Sequence, residues 1–476
     1  MSSTPDRTAT VAAAAAPYLE SWLEHQRRRL RVPGVQAAVR VGDRVVLDTA
    51  LGVADVTTGE PLTPGHLFRI ASHSKTFTAT AVLQLVESGR MRLDDPIARW
   101  VPALTGTGLA EVTVRELLGH QGGVVRDGRD NDHWQLLHPF PDAAVLTGIA
   151  VEEGAVFERN EHFNYSNIGY SLLGLAIEAV TGTGYDAWVR EAVIDRLGLA
   201  DTAPEWVPAR AADHAAGHTG LLDGEDARLT IPHVDTRAMA AATGFTSTAR
   251  DLTTFGAAHF PGDDTLLSDA SKRLMRRRES EIRVHGGEPR HYGLGMDLRT
   301  VGERQLAGHS GGYPGHITRT WIDPEARLVV SVLTNAIDGP ADALARGLIG
   351  LLDLALAAPE TADRPAEAEL ARYAGRFANL WGVTDVALLG GRLVLLHPGS
   401  PEPADDHLEL TVEGPDTLRQ ESVAGFGAPG ETVDYTWTAD GVPAAVRLGG
   451  ISAWPEEVFR ARRAGQVSAA SPGRPR

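Results

Sequence analysis

The sequence predicts an α/β (α+β) chain: an antiparallel sheet packed between terminal helices and a helical lobe, followed by a small antiparallel β-domain. Three observations point there. Helical spacing of apolar residues near the amino terminus gives way to a short alternating hairpin. Mostly helical patterns then run from about Asp94 to Leu267 before alternating strands resume. Beyond a stretch rich in Ala, Pro and acidic residues, short strands recur between Gly, Pro and Asp turns. At 476 residues, 43% of them hydrophobic, the chain can bury a full core and is long enough for two domains.

Tyr18, Leu19, Trp22, Leu23 and Leu30 recur at helical spacing, which predicts a helix over residues 12–30 ending before Pro33. Residues 35–41 and 44–51 flank Gly42-Asp43, a two-residue turn pair that predicts a hairpin. Phe77, Ala81, Val82, Leu85 and Val86 predict a buried helix over 72–88, stopped by Gly89. Helical segments at 112–118, 169–180 and 185–197 supply the lobe. Strands return at 304–307, 317–322 and 328–333, the last two joined by a turn at Asp323-Pro324, and a helix over 341–356 closes the unit. Segments 385–389, 392–396, 408–412, 433–438 and 445–448 then read as a small barrel or sandwich. The expected organisation is a catalytic domain at 1–356, a linker at 357–366, a β-domain at 367–462 and a disordered tail at 463–476.

Composition narrows the function. A formal net charge of -17 disfavours nucleic acid and anionic membrane surfaces, which require cations against phosphate. With no cysteine, a disulfide framework, a thiol nucleophile and a thiolate metal site are excluded, and no H-E-x-x-H spacing appears; no metal or cofactor is expected. The alanine run 12–16, broken by Pro17, does not read as a signal peptide, and no apolar stretch is long enough to span a membrane, so a soluble cytoplasmic protein is expected. Nearly every cation is arginine; the only lysines are Lys75 and Lys272. A lysine amine can lose its proton when desolvated and act as a base, which a guanidinium cannot.

Ser72-His73-Ser74-Lys75 opens the first buried helix, with Ser72 and Lys75 one turn apart on one face. A hydroxyl there can hand its proton to a neutral amine, and the helix start adds backbone N–H groups that favour a developing oxyanion. Two further elements accompany it: Tyr165-Ser166-Asn167 and His309-Ser310-Gly311.

In this order, S-x-x-K, Y-x-N and H-x-G resemble the signature of the serine β-lactamase and penicillin-binding protein superfamily, over roughly residues 31–356. The stretches 117–123, 244–252 and 292–296 add to the likeness, and Tyr373-Ala374-Gly375-Arg376-Phe377 with the strands after it resembles the lipocalin-like appendage of some relatives. The resemblance implies a β-lactamase/transpeptidase-like fold, Ser72 as the acylated nucleophile, Lys75 as its proton acceptor and Tyr165 as a proton shuttle. It implies that Asn167 bonds Lys75 and the substrate amide, and that His309, Ser310 and Gly311 line an edge strand beside the substrate. The N–H groups of Ser72 and Gly312 are the implied oxyanion hole. Histidine in place of the commoner lysine at position 309 lowers the fixed positive charge and leans away from a dedicated penicillinase.

Gly308-His309-Ser310-Gly311-Gly312 also matches G-x-S-x-G, which makes Ser310 a competing nucleophile; that elbow needs a helix directly after it, and here an alternating strand follows. His120 reads as support for a loop, and His73 as pointing off the catalytic face. Trp134 and the charged loop 126–133 are either a cleft wall or an ordinary solvated loop. Arg447 either meets a substrate carboxylate or is a solvated surface residue. The expected activity is a two-step acyl transfer, without cofactor, on an amide or ester of a small peptide-like substrate with possible D-residues. A carrier-bound peptidyl thioester, offloaded and cyclised by an acceptor amine, is the alternative. A non-catalytic sensor is a third, disfavoured by the intact motif residues.

Overall fold

The computed structural model describes residues 4–287, 289–357, 367–421 and 429–470. The chain divides into two compact units, one of residues 31–345 and one that joins 1–30 to 346–476.

The unit at 31–345 is built on one antiparallel sheet. β1 (Gly34–Val41) and β2 (Arg44–Asp55) form the expected hairpin, with Gly42 at φ +56° in its turn. β3 (Glu60–Pro61) extends that edge. After the helical lobe come β4 (Ser280–Ile282), β5 (Arg290–Tyr292), β6 (Asp297–Val301), β7 (Arg304–Tyr313), β8 (His316–Asp323) and β9 (Leu328–Thr334). The order across the sheet is β3-β2-β1-β9-β8-β7-β6-β5-β4. β9 is buried along its whole length, as its unbroken apolar run requires.

β7 runs six residues beyond the point where the sequence pattern ends it, at Ala307. Glycines 308, 311 and 312 mask the strand, because glycine lowers strand propensity. In the fold they mark close backbone approach: a Cβ at Gly308 would lie 2.1 Å from the Thr320 carbonyl oxygen. β4, β5 and β6 are three to five residues long and carry polar or charged residues at most positions, so no alternation announces them.

In the lobe, the helix Ser74–Glu87 is buried on nearly every side, Phe77 stacking on Phe255 with centroids 3.8 Å apart. Burial of such a ring is worth about 1.5–3 kcal/mol. The helix starts at Ser74, not at Ser72; Ala71–His73 form a separate 3-10 turn ahead of it. The helix Asn167–Thr181 is capped by Ser166, whose Oγ accepts the Gly169 N–H at 2.8 Å.

The second unit contains a closed eight-stranded barrel, from Gly375–Asn379 to Ile451–Pro455, whose interior is filled by Tyr373, Phe377, Leu393, Leu418, Val433 and Tyr435 among others. The five segments read as strands are present, joined by three more. The amino-terminal helix spans Thr4–Arg29 and carries Pro17 within it. Inside this unit the Tyr18 hydroxyl donates to Asp385 at 3.0 Å, and Gln26 Nε2 donates to the carbonyls of Pro398 and Ser400, each at 2.7 Å. Of the expected linker 357–366, all but Ala357 lies outside the described residues. A helix, Glu456–Ala470, occupies the first part of the segment expected to be a disordered tail, with Phe459 buried and Arg460 paired to Glu456 one turn back; residues 471–476 lie outside the described residues.

Candidate active site

Ser72 sits in the 3-10 turn between a strained residue and a buried helix. Ala71 adopts φ +47°, a region that disfavours a Cβ and costs on the order of 1–3 kcal/mol. The turn is held by a network: Ser74 Oγ donates to the Ala71 carbonyl at 2.5 Å and accepts the Phe245 N–H at 3.1 Å. Ala71 and His73 are buried, and Ser72 alone of the three reaches the surface.

Lys75 is fully buried. Its Nζ lies 2.7 Å from Asn167 Oδ1, 2.8 Å from the Ala242 carbonyl and 3.1 Å from Ser72 Oγ. Burial holds this amine well below the ordinary lysine range; Asp127 opposes the shift and Arg126 adds to it. A neutral amine has two N–H donors and one lone pair. Once the amine is neutral, the two amide-type oxygens take both donors and the lone pair is left to face the Ser72 hydroxyl.

Asn167 is oriented from behind: its Nδ2 donates to Asp127 Oδ1 at 2.7 Å, which turns its oxygen toward Lys75. The N–H groups of Asn167 and Ile168 both bond the Arg126 carbonyl, and Ser166 Oγ donates to the Val125 carbonyl, so the loop carrying Asp127 is stitched to the helix start. Asp127, only 3% exposed, entered the sequence reading merely as part of a charged loop. The Tyr165 ring covers Lys75 Nζ at 4.7 Å and lies 5.1 Å from the Arg126 guanidinium. Burial raises the Tyr165 phenol above its usual value, against a hydrogen bond with Ser72 and the charge of Arg126, so it stays protonated.

β7 completes the site. It pairs with β6 only as far as Gly308, leaving residues 309–313 without a strand partner on that side. A Cβ at Gly311 would lie 2.1 Å from the Ile70 carbonyl oxygen, so only glycine lets the strand pass the Ser72 turn this closely. His309 Nε2 accepts from the Tyr292 hydroxyl at 2.9 Å, and Nδ1 donates to the Ser310 carbonyl at 2.6 Å. Burial first and Lys75 second push this imidazole down to about 3. His309 is therefore neutral, with both nitrogens engaged. A cavity of about 510 Å³ is lined by Ser72, Tyr165, Asn167, His309, Ser310 and Gly312, and by Arg126, Asp127, Asn131 and Trp134.

A family model described as Beta-lactamase matches residues 19–354. This chain belongs to the beta-lactamase family. It is 29% identical over 327 residues to penicillin-binding protein 4* of Bacillus subtilis, covering 66% of this chain and 70% of that one. The crystal structure of SurE matches with TM-score 0.62 and 27% identity, covering 94% of this chain and all of that one. D-amino acid amidase from Ochrobactrum anthropi SV3 matches with TM-score 0.56 and 28% identity over 67% of this chain and 90% of that one. The beta-lactamase-family chain is accordingly an enzyme of the serine hydrolase type.

In this family member Ser310 stands mid-strand, and β7 continues through Gly312 to Tyr313 before a turn at Gly315 (φ +88°) leads into β8. No helix follows Ser310, so the strand-turn-helix geometry of a nucleophile elbow is absent there. His73 is spent on structure, its nitrogens 3.0 Å from the Ile70 carbonyl and from Thr320 Oγ1. His120 supports the Tyr165 loop: Nδ1 accepts the Ser166 N–H at 3.1 Å and the ring packs 4.4 Å from that of Tyr165. The loop at 126–134 is a cleft wall, since Arg126, Asp127, Asn131 and Trp134 line the cavity. Among the described residues no group of three or more His, Asp or Glu is placed to hold a metal ion, and no helix is long and apolar enough to cross a membrane.

Proposed function

We propose that the chain forms an acyl-enzyme on Ser72 and hydrolyses an amide or ester of a small peptide-like substrate, D-configured residues included. The observation that carries this reading is the buried Lys75 amine, whose Nζ lies 3.1 Å from Ser72 Oγ while it donates to Asn167 Oδ1 and to the Ala242 carbonyl. Ser72 gives its proton to Nζ as Oγ bonds the carbonyl carbon. The N–H groups of Ser72 and Gly312 receive the oxyanion. As the bond to the leaving group breaks, the proton passes from Lys75 by way of the Tyr165 hydroxyl to the departing nitrogen or oxygen. Water then attacks the acyl carbon, its proton going to the same pair, and Ser72 Oγ departs with a proton restored. Asn167, His309, Ser310 and Gly311 hold the substrate beside the free edge of β7.

D-configured substrates are supported by the similarity to D-amino acid amidase and to SurE, which was solved with D-Leu. With His309 neutral, the cation facing the cavity is Arg126. An amine in place of water would make the same acyl-enzyme an acyltransferase, and a peptidyl thioester would serve it as donor.

Intact-protein mass spectrometry after exposure to a fluorophosphonate and to D- and L-aminoacyl amides, esters and thioesters tests the reading. Adducts are expected on the wild type and Ser310→Ala, and none on Ser72→Ala. Adducts lost only in Ser310→Ala would overturn the assignment, and a wild type silent to every probe would favour a non-catalytic binding protein.

A further inference from the structure

A second and larger cavity, about 880 Å³, is lined by residues of β4 to β7 and the segments beside them and shares no lining residue with the Ser72 cavity. Its floor is apolar: Leu298 from β6, Leu306 and Ala307 from β7, and Pro324. Five arginines line it, Arg273, Arg276, Arg278, Arg290 and Arg299, against two glutamates, Glu281 and Glu325. That balance is opposite in sign to the chain's formal net charge of -17.

The guanidinium groups are unequally satisfied. Arg290 donates to Asp297 at 2.8 Å and Arg299 to Asp342 at 3.1 Å. Arg290 Nε is nonetheless buried without a hydrogen-bond partner. Among the described residues, no carboxylate lies within 4.0 Å of Arg273, Arg276 or Arg278, in contrast to most arginines of this unit. Arg276 is half-buried, held by a single bond from Nε to the Lys272 carbonyl at 3.2 Å. Burial, with Arg273 adding to it, lowers its pKa, although Glu325, Asp269 and Asp323 oppose the shift. A half-buried cation with no directly paired carboxylate gains from an anion that joins it.

We propose that this cavity binds a small amphiphilic phosphate: a phosphate monoester whose oxygens meet the Arg273, Arg276 and Arg278 forks while an apolar body lies on Leu298, Leu306 and Ala307. Guanidinium forks match phosphate oxygens in pairs. The volume lies within the range of small-ligand sites. A recessed apolar floor favours a small molecule over an acidic protein surface, which would need a flatter, wider basic face. The site is separate from the Ser72 cavity and its occupancy does not depend on the acyl-transfer reading.

Calorimetric titration of the full chain with hexyl phosphate, inorganic phosphate, hexanol and hexaglutamate tests this. Hexyl phosphate is expected to bind at one saturable site, more tightly than inorganic phosphate and more weakly as salt rises, with hexanol silent. Arg276→Gln/Arg278→Gln is expected to weaken it about tenfold or more, with the melting temperature and fluorophosphonate labelling of Ser72 unchanged. Should the double variant fail to fold, Arg273→Gln, an exposed position, provides the same comparison. Absence of saturable hexyl phosphate binding, binding indifferent to these substitutions, or tighter binding of hexaglutamate would each overturn the proposal, the last in favour of an acidic protein partner.

Discussion

At Lys75 the deciding quantity is how many hydrogens the nitrogen has to give. Asn167 Oδ1 and the Ala242 carbonyl accept two, and in the proposed mechanism a third, on an ammonium, points at Ser72 Oγ and blocks its activation. Acylation should therefore rise with pH as Lys75 loses its proton, with an acid limb far below the ordinary lysine value because burial depresses that group. His309, pushed down to about 3, should add no limb near neutrality. Single-turnover acylation measured against pH checks both, and a limb at the usual lysine value would contradict the neutral amine. Lys75→Arg should cost about a thousandfold or more in acylation, since a guanidinium stays protonated. Ser72, Lys75, Tyr165, Asn167 and His309 were legible because each stands in a short motif. Asp127 was not, because it acts on Asn167 from 40 residues away, and no spacing rule joins a loop carboxylate to a helix cap it meets only in space.

At the scale of elements, the turn joining β7 to β8 lies against an unusual packing of imidazoles. His233 lies 5.0 Å from His214 and 5.6 Å from His316, centroid to centroid, and neither ring nitrogen of His214 or His316 has a hydrogen-bond partner. Burial pushes His214 down to about 3 and His233 to about 4, and His316 well down, with Arg69 adding to each shift. Folded, they stay neutral; unfolded, they bind protons as pH falls below about 6.5, so the stability they permit is full above that value and lost as pH falls toward their folded values. Each costs on the order of 1 kcal/mol per pH unit across that window. Melting temperature should fall steeply between pH 6.5 and 4.5, and less so in His316→Gln; a flat profile would count against this account. The β7 strand itself was only half legible. Its glycines obey a demand from Ile70 and Thr320 that tertiary contact alone creates.

For the whole molecule, the compact unit around the barrel draws on both chain ends. Arg376 makes two bonds of 2.8 Å to Asp385, which also accepts from Tyr18 of the amino-terminal helix, and Asp385 is only 2% exposed. Asp385→Ala leaves a half-buried phenol without its acceptor and a half-buried guanidinium with only the Ser21 carbonyl, and should destabilise this unit by about 2–3 kcal/mol. Hydrogen exchange in the strands Gly375–Asn379 and Gly382–Leu389 should accelerate accordingly. Protection unchanged from wild type would show that the triad carries little of the unit's stability. By itself the sequence determined the order of the amphipathic helices and of the strands with clear alternation, the three motifs and the avoidance of lysine, because periodicity, turn chemistry and residue type are local properties. Tertiary structure alone decided which helix shares a compact unit with the barrel, that His309 is neutral and engaged, and that Asp127 steers Asn167. Burial and the geometry of contact belong to positions that meet only when the chain is folded.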